Sequence, residues 1–197
     1  MDGAILFSVA TESLDFLHAN VGADWSAPVP GLELTVAGVV AHISDCLLWY
    51  GTDLAAGPPE LSTSDVRVRP DSPPADLVRT LGTAARVLAA VVGSSPPAAR
   101  GWHPWGLADP TGFAGMACDE ILVHTRDAAV GLGVEFTPDR AHARATLDRL
   151  FPWAPPGDDP WQTLLWANGR VELPGRERLT DWRWHCAPLS EWDGTQP

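Results

Sequence analysis

Apolar residues recur at helical spacing in several long segments of the chain, and no long segment alternates apolar and polar residues. The pattern predicts helices over residues 4–20, 35–53, 75–92, 113–132 and 138–150, with a short helical piece at 161–167. Pro-rich connections at 55–74 and 93–112 are long enough to cross between helices. We therefore expect an all-α fold, a four-helix bundle with long crossover connections.

The last quarter of the chain differs in composition from the rest. Six of the ten tryptophans follow residue 150, among many prolines and glycines. Tryptophan at this density more often serves packing than ligand stacking. We divide the chain into a bundle at 1–135 and a helical or irregular C-terminal extension at 136–197, which we expect to pack on the bundle.

Composition narrows the classes of partner and chemistry. Twenty-five acidic residues against 13 basic ones give a net charge of -12, which excludes general binding to nucleic acids and to anionic membranes. Lysine is absent, so neither a Schiff-base lysine nor a P-loop lysine exists. We find no signal peptide, no membrane span and no CxxC spacing among the three cysteines, and we expect a cytoplasmic protein, monomer or homodimer.

The most informative pattern lies on the predicted helix 113–132. At about 100° per residue, Glu120, His124 and Asp127 fall on one stripe in the middle of the apolar side. A buried carboxylate is costly unless it is paired or bound to a metal, and a Glu–His pair at i, i+4 can share one ion. A plain Glu–His hydrogen bond explains the pair equally well. The same wheel predicts an outward face, made of Asp119, Thr125, Arg126, Ala129 and the apolar Leu122.

A metal site on this stripe needs a ligand from another helix, and His42 is the candidate. It lies on the flank of the second predicted helix, where that helix meets a neighbour. Taken alone, such a histidine is more often hydrogen-bonded or exposed. We interpret His18 and His142 as surface residues, whereas His103 lies in a loop from which it could face a cavity mouth.

Two stretches of the chain resemble the DinB/YfiT-like superfamily, in the branch of the N-terminal domain of mycothiol-dependent maleylpyruvate isomerase. They are WSAPVPGLELTVAGVVAHI, from Trp25, and DEILVHTRDAAVGLG, from Asp119. The resemblance covers residues 1 to about 135 as a layout. It implies a DinB-like four-helix bundle that holds one divalent ion, zinc or else nickel, on His42, Glu120 and His124.

The resemblance also implies mycothiol as a cosubstrate for transfer or isomerisation. Three protein ligands leave one coordination position free, where the ion would deprotonate a bound thiol. Asp127 would either orient a ligand by hydrogen bonding or link two helices. Above the ion we expect a cavity lined by residues such as Trp49, His103 or Trp105.

Three hypotheses remain open at this point. The first is a metal-dependent thiol transferase or isomerase that acts on a small-molecule thiol and an electrophile. The second is a non-catalytic metal- or ligand-binding bundle that works as an accessory or regulatory module. The third is a metal-free polar network of His42, Glu120 and His124. The isomerase carries a full second domain, for which the roughly 60 residues after the bundle core leave no room.

Overall fold

A computed structural model describes residues 1–196. Within these residues there are six α-helices, one short 3-10 turn at Leu189–Glu191 and no strand beyond isolated β-bridges, so the all-α prediction is confirmed. The helices are α1 (Gly3–Ala19), α2 (Val36–Ala56), α3 (Pro74–Ser94), α4 (Pro110–Leu132), α5 (Arg140–Leu150) and α6 (Pro160–Ala167).

The four long helices, α1 to α4, form the bundle. Helices α1 and α2 each pack against both α3 and α4, so the two pairs alternate around one core. Burial of each large apolar side chain in this core contributes about 1.5–3 kcal/mol. The fully buried side chains include Leu6, Leu17, Ile43, Leu47, Leu88 and Met116.

Side-chain caps fix where the helices of the site begin. Thr35 caps α2, as predicted, and accepts a hydrogen bond from the Gly38 N–H at 3.1 Å. Helix α4 begins at Pro110, earlier than the predicted residue 113, because Asp109 accepts the Gly112 N–H at 3.0 Å. Proline at the first helical position lacks only an N–H that would be unpaired there anyway.

The C-terminal segment packs on the bundle through α4. Helix α5 contacts α4, and α6 contacts α5. The buried Arg149 of α5 pairs with Asp109 at 2.6 Å and donates to the carbonyl oxygens of residues 185–187. These bonds tie the tail across the start of α4. The domain boundary near residue 135 stays a prediction.

One predicted face of α4 is corrected by the structure. Asp119, Thr125 and Ala129, expected on the outward face, are buried. Asp119 accepts hydrogen bonds from Asn168 Nδ2 at 2.8 Å and from Trp184 Nε1 at 3.0 Å. Burial raises the pKa of Asp119 to about 7. Helix α5 packs on α4, and residues after α6 bind Asp119, so this face is covered.

Helix α3 is the one helix, among residues 1–196, that is long and apolar enough to cross a membrane by length and composition. Core helices of soluble proteins share this length and composition. In this fold α3 packs against α1 and α2, and its buried residues, such as Leu81 and Leu88, face the core.

Candidate metal centre

Helices α2 and α4 bring the three predicted ligands together. Glu120 Oε2 lies 3.2 Å from Nε2 of His124 and 3.7 Å from Nε2 of His42. The two imidazole rings stand nearly perpendicular, with centroids 5.0 Å apart. One ligand atom from each residue lies within 4.8 Å of the other two, a spacing that suits one shared ion. That these residues bind metal stays a prediction.

Only one of the two oxygens of the Glu120 carboxylate accepts a hydrogen bond of acceptable geometry. Its Oε1 accepts the hydroxyl hydrogen of Tyr50 at 3.0 Å, whereas its Oε2 is buried and has no hydrogen bond of acceptable geometry. A buried carboxylate oxygen that accepts no well-aligned hydrogen bond is rare in folded proteins. A divalent cation between the carboxylate and the two imidazoles would satisfy it. The donor set therefore fits a metal ion.

The site is closed on one side and accessible on the other. The side chains of Glu120 and His124 are largely buried, but that of His42 is 39% exposed. Three protein ligands with solvent access on one side match a metal site that keeps an open position.

Electrostatics inside the triad favour an ionised Glu120 beside a protonated His124. Burial would raise the pKa of Glu120, but the neighbouring imidazoles and Tyr50 lower it below its ordinary value. Burial would lower the pKa of His124, but its contacts with Asp127 and Glu120 outweigh burial and raise it to about 9. Burial lowers the pKa of His42. A metal ion must therefore displace a proton from His124, whereas His42 is ready as a neutral ligand.

Asp127 contacts the His124 ring, and its role in orienting a metal ligand stays a prediction. Its Oδ2 lies 3.1 Å from Nδ1 of His124, on the ring edge opposite the triad. The same carboxylate accepts from Arg170, which belongs to the segment after α6. Burial would raise the pKa of Asp127, but these two partners lower it to about 2. The sequence suggested a solvated face or an anionic substrate for Arg170, and its contact with Asp127 was not predicted because no local spacing connects the two residues.

A cavity of about 380 Å³ lies close to the triad, although none of His42, Glu120 and His124 lines it. Cys46 and Tyr50 stand between the two: Cys46 Sγ lies 3.6 Å from His42 Nε2, and the Tyr50 hydroxyl reaches Glu120. The aromatic and sulfur-bearing part of the wall is made by Cys46, Trp49, Tyr50, Trp102 and His103. The predicted residues Trp49 and His103 thus line a cavity beside the site.

Trp105 does not line this cavity, contrary to expectation. Trp105 is 38% exposed, and its ring centroid lies 5.7 Å from that of His103 and 4.8 Å from that of Trp184. The ring is held there by contacts with Trp182 and Trp184 of the tail. Tyr50, in contrast, was missed as a site residue. The feature of the sequence that could have identified Tyr50 is its hydroxyl at a core position of α2, because a buried hydroxyl requires a hydrogen-bond partner.

The cavity wall also carries three carboxylates. Asp53, Glu60 and Asp65 line it, and among residues 1–196 no arginine does. Asp65 is paired with Arg67 at 3.0 Å, whereas burial and the nearby Glu60 raise the pKa of Asp53. Burial lowers the pKa of His103 to about 4, so its ring is neutral at pH 7. The wall therefore offers aromatic faces and negative charge.

Comparison with known proteins agrees with this layout. The family model described as the mycothiol maleylpyruvate isomerase N-terminal domain matches residues 6–129, a span that contains α2, α3 and the whole triad. No curated protein and no solved structure gives a match. The match confirms the predicted branch and covers more than half of the chain. The chain therefore belongs to the family of mycothiol maleylpyruvate isomerase N-terminal domains.

Proposed function

We propose that this protein is a divalent-metal-dependent enzyme that uses a mycothiol-type thiol for transfer or isomerisation. The observation that carries the proposal is the buried Glu120 Oε2, which has no hydrogen bond and faces two imidazoles at a site with one accessible side. Family membership supports the choice of thiol.

Each side chain of the site has a distinct task in this proposal. His42, Glu120 and His124 would hold the ion, zinc or nickel, and a thiol bound at the open position would lose its proton to form a nucleophile. Tyr50 fixes the Glu120 carboxylate through its hydroxyl. Asp127 fixes the His124 ring through Nδ1. The adjoining cavity holds the thiol or the electrophile next to them.

The charge of the cavity wall limits which classes of molecule could serve as the second substrate. Asp53 and Glu60 place carboxylates on the wall, and Trp49 and Trp102 add aromatic rings. A dicarboxylate would be repelled there, whereas a neutral or positively charged molecule would be tolerated or attracted. We therefore favour transfer of the thiol to a neutral or cationic electrophile over isomerisation of a dicarboxylate.

The proposed setting is the cytoplasm. Low-molecular-weight thiols are kept reduced there, and all three cysteines of the chain are free and buried. The net charge of -12 supports small-molecule partners over nucleic acids or anionic membranes.

A second candidate function follows from the position of Cys46. Its sulfur lies 3.6 Å from His42 Nε2, close enough for a small rotation to bring it onto an ion held there. Four protein ligands would close the site and favour a non-catalytic metal-binding module. An intense thiolate-to-Co²⁺ charge-transfer band in the protein alone, lost in Cys46→Ser, would support this candidate over the enzyme.

The enzyme proposal is tested with untagged, zinc-loaded protein, mycothiol and iodoacetamide. We expect formation of the thioether at a rate above the uncatalysed reaction, with His124→Ala at the uncatalysed rate. Equal rates for the wild type and His124→Ala would reject thiol transfer at this site. His18→Ala is the matched control, because His18 is an exposed histidine outside the site.

A further inference from the structure

The turn that follows α6 places a cation against the candidate metal centre. Arg170 donates to Asp127 Oδ2 from Nη2 at 2.9 Å and from Nε at 3.1 Å. The same oxygen lies 3.1 Å from Nδ1 of His124. Arg170, Asp127 and His124 therefore form a chain of contacts that runs from the C-terminal segment into the triad.

Arg170 is itself held in place by the turn that carries it. Its Nη1 donates to the carbonyl oxygen of Asn168 at 3.0 Å. Asn168 is buried and donates to Asp119 Oδ1 at 2.8 Å. Gly169, between them, has a φ of +63°, a conformation that glycine adopts without strain. The turn is thus anchored on α4 at two carboxylates, Asp119 and Asp127.

The Asp127 contact determines which nitrogen of His124 can meet an ion. With Nδ1 held by the carboxylate, Nε2 faces Glu120 Oε2 at 3.2 Å. The Asp127 side chain is 4% exposed, and without Arg170 its only other cationic partner besides His124, within residues 1–196, is Arg126 at 3.4 Å. A buried carboxylate that loses such a partner is destabilised and tends to move. Arg170 therefore keeps the carboxylate in the position that orients the ring.

We propose that Arg170 is a positioning residue for the metal centre. Acting through Asp127, it holds His124 in the orientation that binds the ion. The segment after α6 thereby completes a site whose ligands all lie within the family match at 6–129. This inference rests on the proposed function, since it requires that the triad bind metal.

The test measures Co²⁺ affinity and the visible Co²⁺ spectrum of untagged protein. Arg170→Gln is expected to weaken Co²⁺ binding by about 10- to 100-fold and to change the spectrum, as loss of a group that orients a ligand does. Arg170→Lys keeps the charge but not the two-pronged contact. Its Co²⁺ affinity is expected to lie between those of the wild type and Arg170→Gln. Arg176→Gln is the matched control, because Arg176 lies over the Trp166 ring in the same segment and does not contact Asp127.

The melting temperature of the metal-free variants separates positioning from general stability. A folded Arg170→Gln variant with wild-type affinity and spectrum would overturn the inference. If Arg170→Gln does not fold, Asp127→Asn is measured in its place, and wild-type affinity there would also overturn it. Wild-type protein that binds no Co²⁺ would overturn the proposed function as well, so the two failures are distinguishable.

Discussion

Tyr50 donates its hydroxyl hydrogen to Glu120 Oε1 over 3.0 Å. This bond occupies Oε1 and leaves Oε2 for an ion, because Oε2 faces the imidazoles of His42 and His124 and accepts no hydrogen bond of acceptable geometry. The arrangement joins a core position of α2 to the stripe of α4. It also places the one tyrosine of the chain between the triad and the adjoining cavity.

Removal of the Tyr50 hydroxyl should destabilise the metal-free protein. Tyr50→Phe leaves a second oxygen of a buried carboxylate without a hydrogen bond, and we expect the free energy of unfolding to fall by about 1–3 kcal/mol. Urea denaturation in the presence of a chelator measures it. Thr52→Ala, an exposed hydroxyl two residues along the same helix, should change the value by less than about 0.5 kcal/mol. Equal stability of Tyr50→Phe and wild type would show that the bond contributes nothing.

The raised pKa of His124 predicts how stability depends on pH. A histidine with a folded-state pKa of about 9, above its ordinary value of 6.5, stabilises the fold fully below pH 6.5 and loses this contribution as pH rises through 9. The unfolding free energy of metal-free protein should therefore fall over this window relative to His124→Gln. Parallel curves for the two proteins would contradict the raised pKa. Metal affinity should rise over the same window, because binding displaces the proton.

Gly112 should be intolerant of alanine because the tail crosses it. A Cβ at this position would overlap the carbonyl oxygen of Cys186, which Arg149 holds in place. We expect Gly112→Ala to lower the free energy of unfolding by about 1–3 kcal/mol and to speed proteolysis of the C-terminal segment. Gly93→Ala, at an open position in α3, should instead be neutral or stabilising by up to about 1 kcal/mol. A tail equally resistant to protease in both variants would mean that it is not held there.

The anionic cavity predicts selectivity by charge. Relative to the uncatalysed rates with mycothiol, the zinc-loaded protein should accelerate the reaction of iodoacetamide more than that of iodoacetate, which carries a negative charge. Asp53→Asn and Glu60→Gln should narrow this difference, since both residues line the cavity. Equal acceleration of the two electrophiles by the wild type would place the reaction outside this cavity.

Most of the candidate metal site can be predicted from local sequence. Glu120, His124 and Asp127 recur at helical spacing among apolar residues, so one helix wheel places all three on the buried side. His42 required the further inference that the flank of α2 meets α4, which the packing of these two helices provides.

Contacts between distant segments of the chain could not be predicted from local sequence patterns. Tyr50 reaches Glu120 across 70 residues, and Arg170 reaches Asp127 across 43. The outward face of α4 was predicted wrongly because polar residues on a helix wheel are assumed to be exposed. Asp119 is instead buried, and hydrogen bonds from Asn168 and Trp184 of the C-terminal segment stabilise it there. The apolar Leu122 on that face, which is fully buried, was the signal that something covers it.

The central claim is that His42, Glu120 and His124 hold one divalent ion, and elemental analysis tests it most directly. Untagged protein is incubated with zinc, freed of excess metal and measured beside His42→Ala and Glu120→Ala, with His18→Ala as the control. We predict one ion per chain in the wild type and the control, and loss of the ion in the two site variants. Wild-type protein without zinc, or site variants that retain it fully, would contradict the claim.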